Sequence, residues 1–381
     1  MSFPTRITLL MLLLYPLPQP RGTGAAEQDT PPRDAARSGQ QDSQSAREEL
    51  RSGTGAAPGS VLPAKAIDTT EIPKIDIAAA APPDEPLPWY RIGEHTYFLF
   101  GNIATVDERN RGWTGNAGFI VGGEGVIVID TLGTPKLGRR LIATIRRVTA
   151  QPIRYVIITH NHPDHAYGAA AFQALEDATI IAHEGTIEYT HSDVMQRSTE
   201  YRRQLLGHDM DGYEPVEADI YVKPPRFGRY RIALGDEIID VYNAGSHHSY
   251  GDLVVHQVND DVVWVSDLAF NQRTTFLGDG DSRQILEGQD WLMDRFGDAK
   301  LMVPGHGSAQ SPPFPMVQRT HRYVERLRET MREAVESGVT LMEAVDQADF
   351  SDWRDTRLYE SNQRANANFV YREMEQQFFA Q

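Results

Sequence analysis

Cysteine is absent from all 381 residues. That excludes disulfides, cysteine-linked lipids, a thiol nucleophile and thiolate metal ligands. Any metal site must use nitrogen and oxygen donors, and such a site has no thiol to lose in an oxidising compartment. Positive charge is scarce too. Against 53 Asp and Glu there are 37 Lys and Arg, a formal net charge of −16. Phosphate binding needs a positive surface, so a nucleic-acid partner is not expected, and anionic lipid headgroups are disfavoured. No Gly-x-Ser-x-Gly turn occurs, which leaves no serine nucleophile by motif. The N-terminal apolar run Ile7–Tyr15 falls short of the roughly 20 residues that span a bilayer. Hydrophobic residues make up 40% of the chain, enough for a sizeable core.

That short run follows Arg6 and precedes the small residues Gly24-Ala25-Ala26, the pattern of a cleaved signal peptide over residues 1–26. It predicts export to the periplasm or beyond, with no stable membrane insertion after cleavage. Residues 27–88 read as a linker: polar and without hydrophobic period to about Ser60, then extended and proline-rich. A globular domain is expected over 89–312. Its predicted strands are Thr96–Phe100, Gly118–Val121, Gly125–Asp130, Ile153–Thr159, Thr179–Ala182, Ala218–Val222, Tyr230–Leu234, Glu237–Asn243, Leu253–Val258, Val262–Ser266 and Leu301–Val303. Helical spacing falls at Pro135–Thr149, Ala166–Leu175, Gly185–Leu206 and Ile285–Phe296. Two β-rich halves with helices predict an α/β four-layer αβ/βα sandwich. Residues 313–381 read as a C-terminal helical extension, with helices at His321–Glu336, Leu341–Gln347 and Asn362–Phe379.

The chemistry concentrates in His160-Asn161-His162-Pro163-Asp164-His165, directly after the apolar strand Arg154–Thr159. Four donors within six residues, between a strand and a helix, point to metal binding. His160 and His162 can face one ion while Asp164 and His165 face another. The stretch is the HxHxDH motif, and it resembles the metallo-β-lactamase superfamily. The resemblance implies three further positions. The third ligand of the first metal falls in the turn Gly245-Ser246-His247-His248-Ser249, where His248 stands before serine and His247 is the rival, or a residue beside the site. Asp267, at the end of Val262–Ser266, is the bridging carboxylate. His306, in Gly305-His306-Gly307, is the last ligand. One metal is thus expected on His160, His162 and His248, and a second on Asp164, His165 and His306, with Asp267 between them. Asp164 and Asp267 are also expected to take part in the chemistry. Two Zn2+ ions suit this donor set, with Fe or Mn as alternatives.

Asp130, ending the strand before the motif, is implied to accept a hydrogen bond from the ligand loop or a ligand imidazole; the alternative is a turn aspartate. Asn271 and Arg273, after the bridging aspartate, are candidate substrate contacts, Arg273 for an anionic group. His183, His191 and His208 read as ordinary core or surface histidines. Asp209–Gly212 and Asp279–Asp281 read as turns, since they lack the full calcium-loop spacing.

A narrower resemblance, on Ser266–Asn271, Gln289–Leu292 and the tail, is to periplasmic zinc metallohydrolases linked to quinoprotein and sulfur-oxidation systems (the SoxH-like group). Ser266 departs from that pattern, where glycine is common. The implied function is an exported dinuclear zinc hydrolase that uses a metal-bridging hydroxide to cleave a small-molecule ester, thioester or lactam, thioesters first. The alternatives are a β-lactamase proper, a mono-iron persulfide dioxygenase of the same fold, and a non-catalytic interaction module. Di-iron members carry Glu where this chain has His162.

Overall fold

The computed structural model describes residues 59–61 (backbone only), 73–175, 178–223 and 225–380. The expected signal peptide and most of the linker lie outside the described residues. Strands β1 (Gly59–Val61) to β8 (Ile220–Val222) form an eight-stranded sheet in sequence order: β2 Trp89–Arg91, β3 Thr96–Leu99, β4 Ala117–Val121, β5 Val126–Ile129, β6 Ile153–Ile157 and β7 Thr179–His183 lie between. A second sheet runs β13 (Leu301–Pro304), β12 (Val262–Ser266), β11 (Asp252–Gln257), β10 (Glu237–Gly245), β9 (Arg229–Leu234).

The residues explain the layering. In β5, Ile127 and Ile129 enter the core between the sheets, while Val126 and Val128 lie under the outer helices. In β12, Val262 and Trp264 face the inter-sheet core, and Val263 and Val265 face the other way. A strand covered on both faces reads as an unbroken apolar run, as these do. Helix α1 (Pro135–Val148) covers the first sheet with the stripe Leu137, Leu141, Ile145; Thr134 caps it by accepting from Leu137 N, with proline in the first turn. Phe172 of α3 (Ala169–Gln173) joins that cluster. Helix α6 (Ser282–Phe296) covers the second sheet through Leu292 and Phe296. The four-layer αβ/βα sandwich is present, and so are the C-terminal helices.

The structure differs from expectation at joins. The span Gly185–Leu206 holds two helices, α4 (Thr186–Thr190) and α5 (Asp193–Leu206), because Ser192 stands in extended backbone and caps the second. The span Ala166–Leu175 holds α3, with α2 (Pro163–Ala166) just before it. Strands β1 and β2 were not foreseen. The described end of the linker is docked on the domain: Leu87 is buried with its N–H on Thr144 Oγ1 (2.8 Å), and Arg140 donates to the Glu85 carbonyl (2.8 Å). The tail comprises α7 (Pro315–Glu336), α8 (Leu341–Gln347) and α9 (Tyr359–Phe379). Helix α7 has two attachments: Met316 and Val317 join the cluster under the second sheet, while Val324, Leu327 and Met331 pack with Ala367, Val370 and Met374 of α9.

Candidate metal centre

Strands β5 and β6 run parallel, as do β12 and β13. Parallel pairs deliver their C-terminal ends to one edge, where side chains from distant segments converge. Asp130 follows β5, the His160–His165 loop follows β6, Asp267 follows β12 and His306 follows β13. His248 arrives on the loop from β10 to β11.

Seven side chains meet there in two groups. His160, His162, His248 and Asp267 form one, and Asp164, His165 and His306 the other; within each group the donor atoms lie within 4.8 Å of one another. Asp267 reaches both: its Oδ2 is 2.9 Å from His248 Nε2 and 3.5 Å from His306 Nε2, and its Oδ1 is 3.7 Å from His165 Nε2. Gly305 permits this, since a Cβ there would stand 1.9 Å from Asp267 Oδ1.

Several rings are tied back through one nitrogen, leaving the other free toward the group. His165 Nδ1 donates to Asp130 Oδ2 (2.8 Å), and His306 Nδ1 to the Thr114 carbonyl (3.0 Å). His162 Nε2 donates to Asp279 Oδ2 (3.0 Å), so its Nδ1 faces His248 Nε2 at 2.9 Å. His160 Nδ1 lies 3.2 Å from both the Thr159 and Ser266 hydroxyls. The outcome is nitrogen against nitrogen: His165 Nε2 stands 3.4 Å from His306 Nε2, and buried His160 Nε2 and Asp267 Oδ1 have no hydrogen-bond partner. Facing lone pairs and orphaned buried donors fit cations placed between them.

Electrostatics agree. Burial would raise Asp267, but the imidazoles of His306, His248 and His165 hold it well below the ordinary carboxylate range. Asp164 is likewise held low against burial by His165, His306, Arg202 and Arg273. Burial lowers His160 and His306. His165 runs the other way: burial opposes its charge, yet Asp130, Asp267 and Asp164 lift it to about 9, so a cation bound there would displace a proton.

Asp130 takes the implied position: besides His165 it accepts from Thr159 N (2.8 Å) and Thr159 Oγ1 (2.9 Å). His248 joins the first group and His247 joins neither. His247 is a buried residue beside Asp252, and burial pushes its ring down to about 4. Asn271 braces the His306 turn, with its amide on Ser308 and its N–H on the His306 carbonyl. Arg273 is half-buried, its guanidinium 5.4 Å over the Phe270 ring. Among the ordinary histidines, His183 is buried against Asn243, and His191 and His208 are exposed. Asp209 pairs with Arg111 and Lys136, and Asp281 caps α6. Asp279 lies in a turn, as read, and from there also holds His162. A Thr hydroxyl was also missed: Thr114 Oγ1 donates to Asp164 Oδ2 (2.8 Å).

Two donor groups sharing one carboxylate at the edge of an αβ/βα sandwich define a candidate dinuclear metal centre. A model of the metallo-β-lactamase superfamily matches residues 110–339, and the chain belongs to that superfamily. A linear primary-alkylsulfatase of Pseudomonas sp. is 38% identical over 53 residues, 14% of this chain and 10% of that protein. Among solved structures, the stereoselective inverting sec-alkylsulfatase Pisa1 from Pseudomonas sp. matches with a TM-score of 0.60 and 17% identity, over 75% of this chain and 50% of that one. A metallo-β-lactamase from Pontibacter korlensis matches at TM-score 0.48 and 18% identity, over 62% of this chain and 98% of that one. The chain thus spans half or less of the alkylsulfatases it matches. These comparisons bring out alkylsulfatases rather than the SoxH-like group.

Proposed function

We propose that the chain is an exported dinuclear zinc hydrolase that cleaves an anionic ester, a sulfate ester of an apolar alcohol before others. The observation that carries the hydrolase reading is the double donor group sharing Asp267. His160, His162 and His248 would hold one ion, and Asp164, His165 and His306 the other. Divalent ions held there would lower the pKa of bound water to roughly 7 and polarise the ester oxygen. Asp130, Asp279 and the Thr114 carbonyl keep the rings aimed. Asp164 and Asp267, held ionised, are poor proton acceptors and good fixed anions. The reaction is hydrolysis: the ester C–O–S linkage and one water give an alcohol, sulfate and a proton. The released proton leaves by the mouth, where His162 and Asp164 each keep 15% of their side-chain surface accessible.

The anionic head is supported by Arg273, whose charge acts on both Asp164 and His306 and whose Nε has no partner. The alkylsulfatase relatives move sulfate esters ahead of the thioesters favoured by the narrower resemblance. Export rests on the Arg6–Ala26 pattern alone.

The test is a panel of an alkyl sulfate, a thioester, a lactone and a β-lactam, with His160→Ala as blank. The alkyl sulfate should be cleaved fastest, with the rate falling as pH drops below about 7. Arg273→Ala should raise KM about tenfold or more, with a smaller effect on kcat, since bonds to a charged group contribute roughly 1.5–3 kcal/mol. No cleavage above the blank, together with oxygen uptake on a persulfide, would replace the hydrolase by the dioxygenase.

A further inference from the structure

Beyond the donors, one wall of the mouth is apolar and is shared with the tail. The ring of Phe276 lies 6.2 Å from that of His162, and Phe369 of α9 meets Phe276 edge-on at 6.0 Å. Both phenylalanines are half-buried, whereas Phe98, Phe119, Phe172 and Phe314 are fully buried. Gly278 lets the loop pass beneath the pair: a Cβ there would stand 2.4 Å from Phe276 and 2.7 Å from Phe369.

The loop carrying Phe276 is fixed to the tail rather than free to swing. Thr274 N donates to the Arg357 carbonyl (2.9 Å), and Asn362 Nδ2 to the Thr274 carbonyl (3.0 Å). Asn366, fully buried, donates to the Thr275 carbonyl (2.8 Å) and accepts from Leu277 N (3.0 Å). Ser282 N, just past the loop, donates to Glu373 (3.1 Å). The same loop carries Asp279 to His162. A preformed, partly exposed aromatic surface beside polar donors is how sites take the hydrocarbon part of a ligand.

We infer that the helical tail completes the substrate site: Phe369 of α9 and Phe276 form a fixed apolar wall beside His162 that receives the alkyl part of the substrate. This rests on the anionic-ester reading for the substrate's head and adds the determinant of its tail.

The test is calorimetric binding to the full, zinc-loaded chain of butanesulfonate, octanesulfonate, butanol and octanol, none of them hydrolysable. Wild type, Phe369→Ala and Phe369→Leu are compared, with zinc content measured on each. The octyl probes should bind wild type more tightly than the butyl ones. Phe369→Ala should weaken octanesulfonate about tenfold, the burial of roughly two methylenes, and leave butanesulfonate within about twofold. Phe369→Leu should restore most of the loss, and zinc content should not change. Equal octyl binding in wild type and Phe369→Ala overturns the inference, as does an octyl loss that tracks zinc loss. If instead the octyl contrast holds but sulfonates bind no tighter than alkanols of the same length, the wall stands and the anionic-head reading falls.

Discussion

Ser266 sits at φ +48, the left-handed region, one residue before the shared carboxylate. That explains why glycine suits this position. The serine hydroxyl offsets the strain by meeting Thr159 Oγ1 at 2.6 Å and His160 Nδ1 at 3.2 Å. Ser266→Gly should therefore be within about 1 kcal/mol of wild type in urea unfolding, relief of strain balancing the lost bond, whereas Ser266→Ala should cost about 1–2 kcal/mol. Equal losses in the two variants would contradict this. Asp130→Asn should keep the fold and weaken metal binding roughly 10–100-fold by chelator competition, because the amide orients His165 less well. Unchanged affinity would assign Asp130 to the turn alone. The donors were legible because four of them crowd one short stretch and the others sit in turns of recognisable form. Asp279 was not legible: it lies 117 positions from His162, and only the fold brings the two together.

Among the elements, strands were the most legible, because β5, β6 and β12 are covered on both faces and spell their burial as apolar runs. Helix joins were less so: a single capping serine at 192 divides one polar amphipathic stretch. Strand β2 escaped because Trp89–Arg91 is three residues long and flanked by prolines and a glycine. The two sheets are also tied by a turn residue with no sequence signature. Asp260, between β11 and β12, accepts from Glu94 N (2.9 Å) and His95 N (2.8 Å) of the β2–β3 turn and from Thr96 Oγ1 (2.6 Å) at the start of β3. Burial works to raise its pKa, but the Thr96 hydroxyl and the two N–H groups hold it below the ordinary value. A depressed folded pKa contributes stability that is full above the unfolded value of about 3.9 and is lost as pH falls through the folded one. Wild type should thus exceed Asp260→Asn in Tm at pH 7, and the gap should narrow below about pH 4. A gap constant down to pH 3 would contradict this.

For the whole molecule, the tail is less separable than its position in the sequence suggests. Phe314, Met316 and Val317 belong to the cluster under the second sheet, and Asn362 and Asn366 hold the loop beside the metal donors. The family match likewise extends through α7, to residue 339. Deleting residues 313–381 should therefore abolish a cooperative unfolding transition; a soluble, cooperative, zinc-binding truncation would show the tail to be an appendage. Composition narrowed the donor chemistry, since a chain without cysteine cannot offer a metal a thiolate. It could not show that α9 reaches the mouth, because that depends on how three helices fold back. The most direct measurement is elemental analysis of the purified full-length protein, beside His248→Ala and His247→Ala. Wild type and His247→Ala should each hold two zinc ions per chain, and His248→Ala about one, as the donor groups require. One iron and no zinc in wild type, or metal loss in His247→Ala but not in His248→Ala, would contradict this.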